Sequence, residues 1–135
     1  MKVENQVQPD PEQIAAFIKT EGPVCMVNLL KFKERAEYAD GRSTGLTGRE
    51  AYSLYVKEMR KLVEASGRTF HFTGECVGML LGQVEDEWDW VGIVEYPSAR
   101  AMLEIASSEA FQSIEVHRVA GLKGQLNITT QQSGL

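Results

Sequence analysis

The pattern of apolar and polar positions along the chain predicts where its helices and strands lie. In DPEQIAAFIK, residues 10–19, Asp10 can cap a helix whose first position is Pro11. VCMVNLLKF, residues 24–32, is predicted to be a strand. Because its apolar residues do not alternate with polar ones, we expect both faces of this strand to be covered.

A long loop and a second helix follow this strand. Residues 33–46 are rich in charge and glycine, and loops of this length in small domains are usually functional or mobile. Thr47 and Glu50 can form a capping box, which predicts a helix over about 48–65. The apolar stripe of this helix consists of Ala51, Tyr52, Tyr55, Met59 and Leu62.

The second half of the chain predicts a hairpin, two helices and a last strand. RTFHFTGECVGMLLG, residues 68–82, is predicted to be a long strand, or two strand pieces, broken by glycines. The acidic turn VEDE joins it to a strand at 88–96, which predicts an antiparallel pair. Two helices are predicted over 98–106 and 107–121, and a strand over 125–131.

The predicted order is one helix followed by β-α-β-β-α-β, which is the ferredoxin-like pattern of an α+β domain. We expect a helical N-terminal extension at 1–23 and one ferredoxin-like domain at 24–135. An antiparallel sheet takes its helices on one face, so the apolar strand at 24–32 leaves a second apolar face to be covered. The same face of a second subunit is the simplest cover, and we therefore expect a homodimer that pairs through its sheets.

Composition narrows the class of protein further. The chain has 135 residues, of which 43% are hydrophobic and 24% charged, as in an ordinary globular domain. The net charge of −5 does not favour a nucleic-acid partner, because phosphates attract a basic excess. The chain has neither an apolar run long enough for a membrane span nor an N-terminal signal pattern, so we expect no membrane partner and a cytoplasmic location.

Motifs for bound cofactors and metals are not found in the sequence. Cys25 and Cys76 lie far apart in apolar runs, which indicates reduced, packed thiols. The GRSTGLTG segment has neither of the glycine spacings that cradle phosphates, and two distant histidines with two lone cysteines make no zinc site. We therefore expect no cofactor and no metal.

Four segments carry a resemblance to a known family. MVNLLKFK, AYSLYVKEM, WDWVGIVEYPS and HRVAGL, in this order over about residues 24–130, resemble the domain-of-unknown-function family DUF1330, in a subgroup with a longer loop after the first strand. That family belongs to the dimeric α+β barrel superfamily, which implies ferredoxin-like subunits that pair through their sheets. The superfamily includes cofactor-free oxygenases, isomerases, haem enzymes and binding proteins, so the shared fold does not choose a reaction.

The helix over 107–121 carries the strongest candidate for function. A helix turns about 100° per residue, so Arg118 falls about 20° from Phe111 on the buried face, while His117 lies at the edge beside Ala110. An inward arginine keeps its charge and needs acceptors. Those are either a carboxylate of the protein or a bound organic anion. The candidate carboxylates are Glu75, Asp89 and Glu95.

A simpler interpretation of the same pair stays open. Basic residues near the end of a helix offset its macrodipole, and a long arginine can reach past the helix end to water. In the functional interpretation, Arg118 binds an anion and His117 carries a proton, since the pKa of a histidine lies in the useful range. The resemblance favours function, because the His-Arg pair matches a recurrent motif of that subgroup.

Other polar side chains are predicted near the same cavity. Asn28 is the strongly polar residue of a buried strand, so its amide either fixes a neighbouring group or faces a pocket. Tyr52 and Tyr55 lie on the sheet-facing stripe, either as plain core or as pocket lining. Asp89 either pairs with Arg118 or caps the hairpin. His71 is predicted to be a satisfied core residue rather than a haem ligand.

The leading hypothesis is a homodimer that binds a small, acidic organic molecule between sheet and helices. Arg118 would hold the anion, with hydrogen bonds from Asn28 and Tyr55, and the protein would be either a binding protein or a cofactor-free oxygenase or isomerase. The alternative is a non-catalytic sensor or a structural dimer module in which Arg118 meets only side chains of the protein.

Overall fold

The computed structural model describes residues 7–134, so the predicted ranges 1–23 and 24–135 lie partly outside the described residues. The chain forms four helices and four strands. In chain order these are α1 (Pro11–Ile18), β1 (Val24–Phe32), α2 (Gly48–Ala65), β2 (Thr69–Glu75), β3 (Trp90–Tyr96), α3 (Ala99–Ala106), α4 (Glu109–Gly121) and β4 (Leu122–Thr130).

The four strands form one antiparallel sheet in the order β2-β3-β1-β4. The predicted ferredoxin-like order, with one extra N-terminal helix, is confirmed. Both predicted capping boxes are present, at Asp10 with Gln13 and at Thr47 with Glu50. No helix within residues 7–134 combines the length and the apolar composition that crossing a membrane requires.

Strand β1 divides its side chains between the two faces of the sheet. Val24, Met26 and Leu30 are buried in a core shared with α2 and α4. Val27 and Leu29 alternate with them and are half-buried on the opposite face, away from the helices. The prediction that both faces of this strand are apolar is therefore confirmed.

The connection between β2 and β3 differs from the prediction. Strand β2 ends at Glu75 rather than near residue 82, and residues 76–89 form an irregular connection instead of a tight acidic turn. Gly82 has φ +86°, a conformation that a strand does not use. The Leu80 and Leu81 side chains in this connection are fully or nearly fully exposed.

His71 also differs from the prediction of a satisfied core residue. It lies in the irregular part of β2, where the register with β3 shifts, and its side chain is about half exposed. Its Nε2 lies 2.9 Å from Oε1 of Glu95. The register shift turns His71 toward the face of the sheet that carries no helices, because Glu95 alternates with the buried Val94 and Tyr96.

Helices α2 and α4 meet through two glycines. A Cβ atom added to Gly48 would stand 2.6 Å from the carbonyl oxygen of Gly121 and closer still to that of Lys33. The backbone N–H of Lys33 donates to the Gly121 carbonyl (2.8 Å), and the N–H of Gly48 donates to the Lys33 carbonyl (3.1 Å). This glycine seam therefore fixes the position of α4 against both α2 and the start of the 33–46 loop.

Candidate functional site

Arg118 is the only buried charged residue among residues 7–134, with 8% of its surface exposed. It lies on α4 and faces the interior, as the helical phase predicts. Its Nη1 donates to Oε1 of Gln125 (2.8 Å), and its Nη2 donates to Oε1 of Glu115 (3.2 Å) and to the carbonyl oxygen of Val7. Its buried Nε has no hydrogen-bond partner among the residues that the structure describes.

The predicted pairing of Arg118 with Asp89 is wrong. Asp89 lies just before β3, where its Oδ2 accepts a hydrogen bond from the backbone N–H of Phe32 (2.8 Å). Its Oδ1 lies 3.7 Å from Nζ of Lys31. Asp89 thus ties the connection to the end of β1, which is closer to the predicted capping role than to a place in the Arg118 cluster.

The other two predicted carboxylate partners are also engaged elsewhere. Glu75 pairs with Arg49 at 3.0 Å, near the start of α2. Glu95 contacts His71 on the face of the sheet without helices. Neither carboxylate forms an ion pair with Arg118: Glu75 is held by Arg49, and Glu95 lies on the face of the sheet opposite α4.

Asn28 and Gln125 connect Arg118 to the centre of the sheet. Because Arg118 only donates, the Gln125 oxygen must face it, which turns the Gln125 Nε2 toward Oδ1 of Asn28 (2.8 Å). The Asn28 Nδ2 then donates to the carbonyl oxygens of Gly92 (3.2 Å) and Met26 (3.4 Å). Asn28 therefore fixes neighbouring groups, one of the two predicted alternatives, and both amides have a single consistent orientation.

Three tyrosines lie buried around the same interior. The ring centres of Tyr52 and Tyr55 lie 5.3 Å apart, and Tyr96 lies at the end of β3. Burial raises the pKa of Tyr55 to about 12 and raises those of Tyr52 and Tyr96 as well, while the charge of Arg118 acts in the opposite direction at Tyr52 and Tyr55. No hydrogen bond links the three hydroxyls to any residue within 7–134.

Gly92 marks unfilled space over the middle of the sheet. It is buried and pairs with Asn28 across β1 and β3. A Cβ atom at Gly92 would point to the same face as Val94, toward the helices, and would meet no atom within 4 Å. A hollow therefore lies between sheet and helices beside the Asn28 amide.

His117 is not part of this interior. Its Nδ1 lies 2.6 Å from the hydroxyl of Tyr38, and the two rings pack edge to face. Tyr38 belongs to the 33–46 loop and is buried, and Cζ of Arg42 lies 4.8 Å from the centre of its ring. The two adjacent residues, His117 and Arg118, therefore face different parts of the molecule.

Several contacts of the site were not predicted. Gln125 lies at the start of the predicted last strand, and only its register opposite Leu30 shows that it faces the helices. Glu115 stands three positions before Arg118, a spacing that places the two on neighbouring helical turns. Within residues 7–134, histidine, cysteine and acidic side chains form no group that could hold a metal ion.

A solved structure with the same architecture shows the fold of the domain. A dabb family protein with a ferredoxin-like fold from Mesorhizobium loti has a TM-score of 0.55 at 12% identity, over 84% of this chain and 100% of that one. This likeness shows the fold, and the domain has a ferredoxin-like fold.

A higher likeness is found to the RPA0582 protein of unknown function from Rhodopseudomonas palustris. Its structure has a TM-score of 0.84 at 30% identity, over 96% of this chain and 98% of that one. The structure of the methylated RPA0582 protein has a TM-score of 0.85 at 33% identity, over 96% of both chains. The chain belongs to the family of this protein. No protein-family model matches the chain, and no curated protein matches it.

Proposed function

We propose that the protein binds a small organic carboxylate with an apolar body in the hollow between sheet and helices. Arg118 anchors the carboxylate, Tyr52 and Tyr55 add hydrogen bonds, and Asn28 lines the hollow and orients Gln125 against Arg118. Two observations carry the proposal: the buried Nε of Arg118 has no hydrogen-bond partner among residues 7–134, and unfilled space lies over Gly92, to which Gln125 and Asn28 connect Arg118. We further propose that the family of this protein falls within DUF1330, on the four segments that resemble it.

The hydrogen-bonding capacity of the interior supports an anionic ligand. A buried donor without a partner costs about 1–3 kcal/mol, and the Nε of Arg118 is such a donor among the described residues. A carboxylate can meet the Nε and one Nη of a guanidinium at once, which is its strongest geometry. The aromatic bodies of Tyr52, Tyr55 and Phe111 suit an apolar or aromatic remainder.

Binding without catalysis is the favoured form of the proposal. The catalytic form gives His117 the role of proton carrier in a cofactor-free oxidation or isomerisation. The ring of His117 contacts Tyr38 of the 33–46 loop and not the guanidinium of Arg118. A general acid or base must come within hydrogen-bond reach of the reacting group, so this placement favours a ligand sensor or carrier.

Replacing Arg118 by methionine tests the anion anchor. Charge-assisted hydrogen bonds are worth about 1.5–3 kcal/mol, so binding of benzoate and 4-hydroxybenzoate is expected to weaken about 10- to 100-fold. Titration calorimetry on wild type and Arg118→Met measures this. Arg100→Met, at an exposed position of α3, is the matched control and keeps wild-type affinity. Equal affinities in wild type and Arg118→Met would exclude Arg118 from the site.

We also propose that a second copy of the chain covers the face of the sheet without helices. Val27 and Leu29 on β1 lie there, as does Ile93 on β3, and Phe72 on β2 is 56% exposed. The centre of this face is apolar. An apolar sheet face without covering helices is typical of an interface between subunits.

Placing a charge at the centre of that face tests the dimer. Ile93→Glu is expected to give a monomer at micromolar concentration, because an unpaired carboxylate would be buried in the interface. Sedimentation velocity on wild type, Ile93→Glu and the exposed control Gln112→Glu measures the state. A wild-type protein that is already monomeric at that concentration would refute pairing through the sheet.

A further inference from the structure

The segment at residues 7–10, here named the strap, connects directly to the Arg118 cluster. Its Val7 carbonyl oxygen accepts from Nη2 of Arg118, and the Nε2 of Gln8 donates to Oε1 of Glu115 (2.8 Å). Glu115 therefore accepts from the strap and from Arg118 with the same oxygen. The Val7 side chain is half-buried and packs against the main core.

The helix that follows the strap is held lightly. No residue of α1 is buried, and Ile14 and Ile18 are 40% and 48% exposed. Phe17 is the residue of α1 that packs against the core. Because few apolar groups are buried there, opening of the strap with α1 costs less than opening of the sheet.

We infer that the strap closes over Arg118 and that the carboxylate of a ligand displaces it. This inference rests on the proposed function. The Val7 carbonyl and a ligand carboxylate are both acceptors for Nη2 of Arg118, and Nη2 already serves Glu115. A bidentate carboxylate uses Nε and one Nη, so it takes the position that the Val7 carbonyl holds in the closed state.

Competition between strap and ligand sets the measured affinity. When only the open state binds, the observed affinity falls by the fraction of molecules that are open. Weakening the strap then tightens ligand binding, although no group that contacts the ligand has changed. If the strap were instead a permanent part of the core that does not compete with the ligand, weakening it would leave ligand affinity unchanged.

Two variants of Gln8 in the full chain test the strap. Gln8→Ala removes the hydrogen bond to Glu115, and benzoate is expected to bind up to about tenfold more tightly. Gln8→Glu places like charges together and is expected to have the larger effect. Gln112→Ala, at an exposed position of α4, is the matched glutamine control and keeps wild-type affinity. Hydrogen exchange of the amides at 7–18 in wild type is expected to quicken when benzoate binds.

The outcomes separate the strap from the site itself. If benzoate binding requires Arg118 but is unchanged in both Gln8 variants, the strap proposal is wrong and the proposed ligand site stands. The same holds if benzoate leaves hydrogen exchange at 7–18 unchanged. Binding of benzoate to neither wild type nor the Gln8 variants overturns the proposed function and the strap with it.

Discussion

Replacement of Gly48 by alanine is expected to destabilise the protein by about 2–3 kcal/mol, the upper range for overpacking a filled contact. The new Cβ would stand 2.6 Å from the carbonyl oxygen of Gly121, and the atoms it meets belong to backbone that cannot rotate away. The loss exceeds the helix propensity that alanine gains over glycine, which is about 1 kcal/mol. Denaturant unfolding followed by circular dichroism measures the change.

Gly78→Ala provides the control for this experiment. Gly78 lies in the irregular connection, and a Cβ there would meet nothing within 4 Å. The free energy of unfolding of Gly78→Ala is expected to stay within about 0.5 kcal/mol of that of the wild type, as for most surface substitutions. A Gly48→Ala protein as stable as this control would show that α2 and α4 can separate at no cost, against the close approach seen at Gly121.

Replacement of Gly92 by valine is expected to abolish benzoate binding while the protein stays as stable as wild type or becomes more stable. Valine suits a strand better than glycine does, and its methyl groups enter unfilled space. The same methyl groups occupy the place beside Asn28 where the body of the ligand is proposed to lie. Titration calorimetry and thermal unfolding of one sample measure both effects.

Gly134→Val is the matched control, because a Cβ at that exposed position also meets nothing within 4 Å. This control is expected to bind benzoate as wild type does. Unchanged binding by Gly92→Val would place the ligand elsewhere. A steep fall in its stability would show that the space over β3 is too small for two methyl groups, and thus too small for a ligand.

Much of the fold could be predicted because the signals are local. Capping boxes at Asp10 and Thr47 fix two helix starts within four residues of sequence, and the element order follows from the patterns between them. The extent of β2 could not be predicted in this way. An apolar run such as 77–81 favours a strand, but pairing needs a neighbour, and the pairing of β2 with β3 ends at Glu75 with Trp90. Sequence pattern does not show where a neighbouring strand stops.

The candidate site could likewise be predicted only where it depends on local sequence pattern. The inward direction of Arg118 depends on helical phase, which is a property of α4 alone. Its partners depend on the tertiary fold, since Gln125 lies on another element and Val7 lies 111 positions away. The contact of His117 with Tyr38 likewise joins residues 79 positions apart. Adjacent residues on one helix thus reach environments that no local pattern distinguishes.

Strand β1 has a consequence for how the chain can change in length. Its even-numbered positions, with Asn28 among them, face the hollow, while Val27 and Leu29 face the proposed partner subunit. Insertion of one residue before Asn28 would exchange the two sets, since side chains alternate along a strand. The ligand cavity and the subunit interface would then be lost in one event. Insertions are therefore expected to be tolerated in the 33–46 loop and the 76–89 connection. In β1 they are expected to be selected against, because they would disrupt both the ligand cavity and the subunit interface.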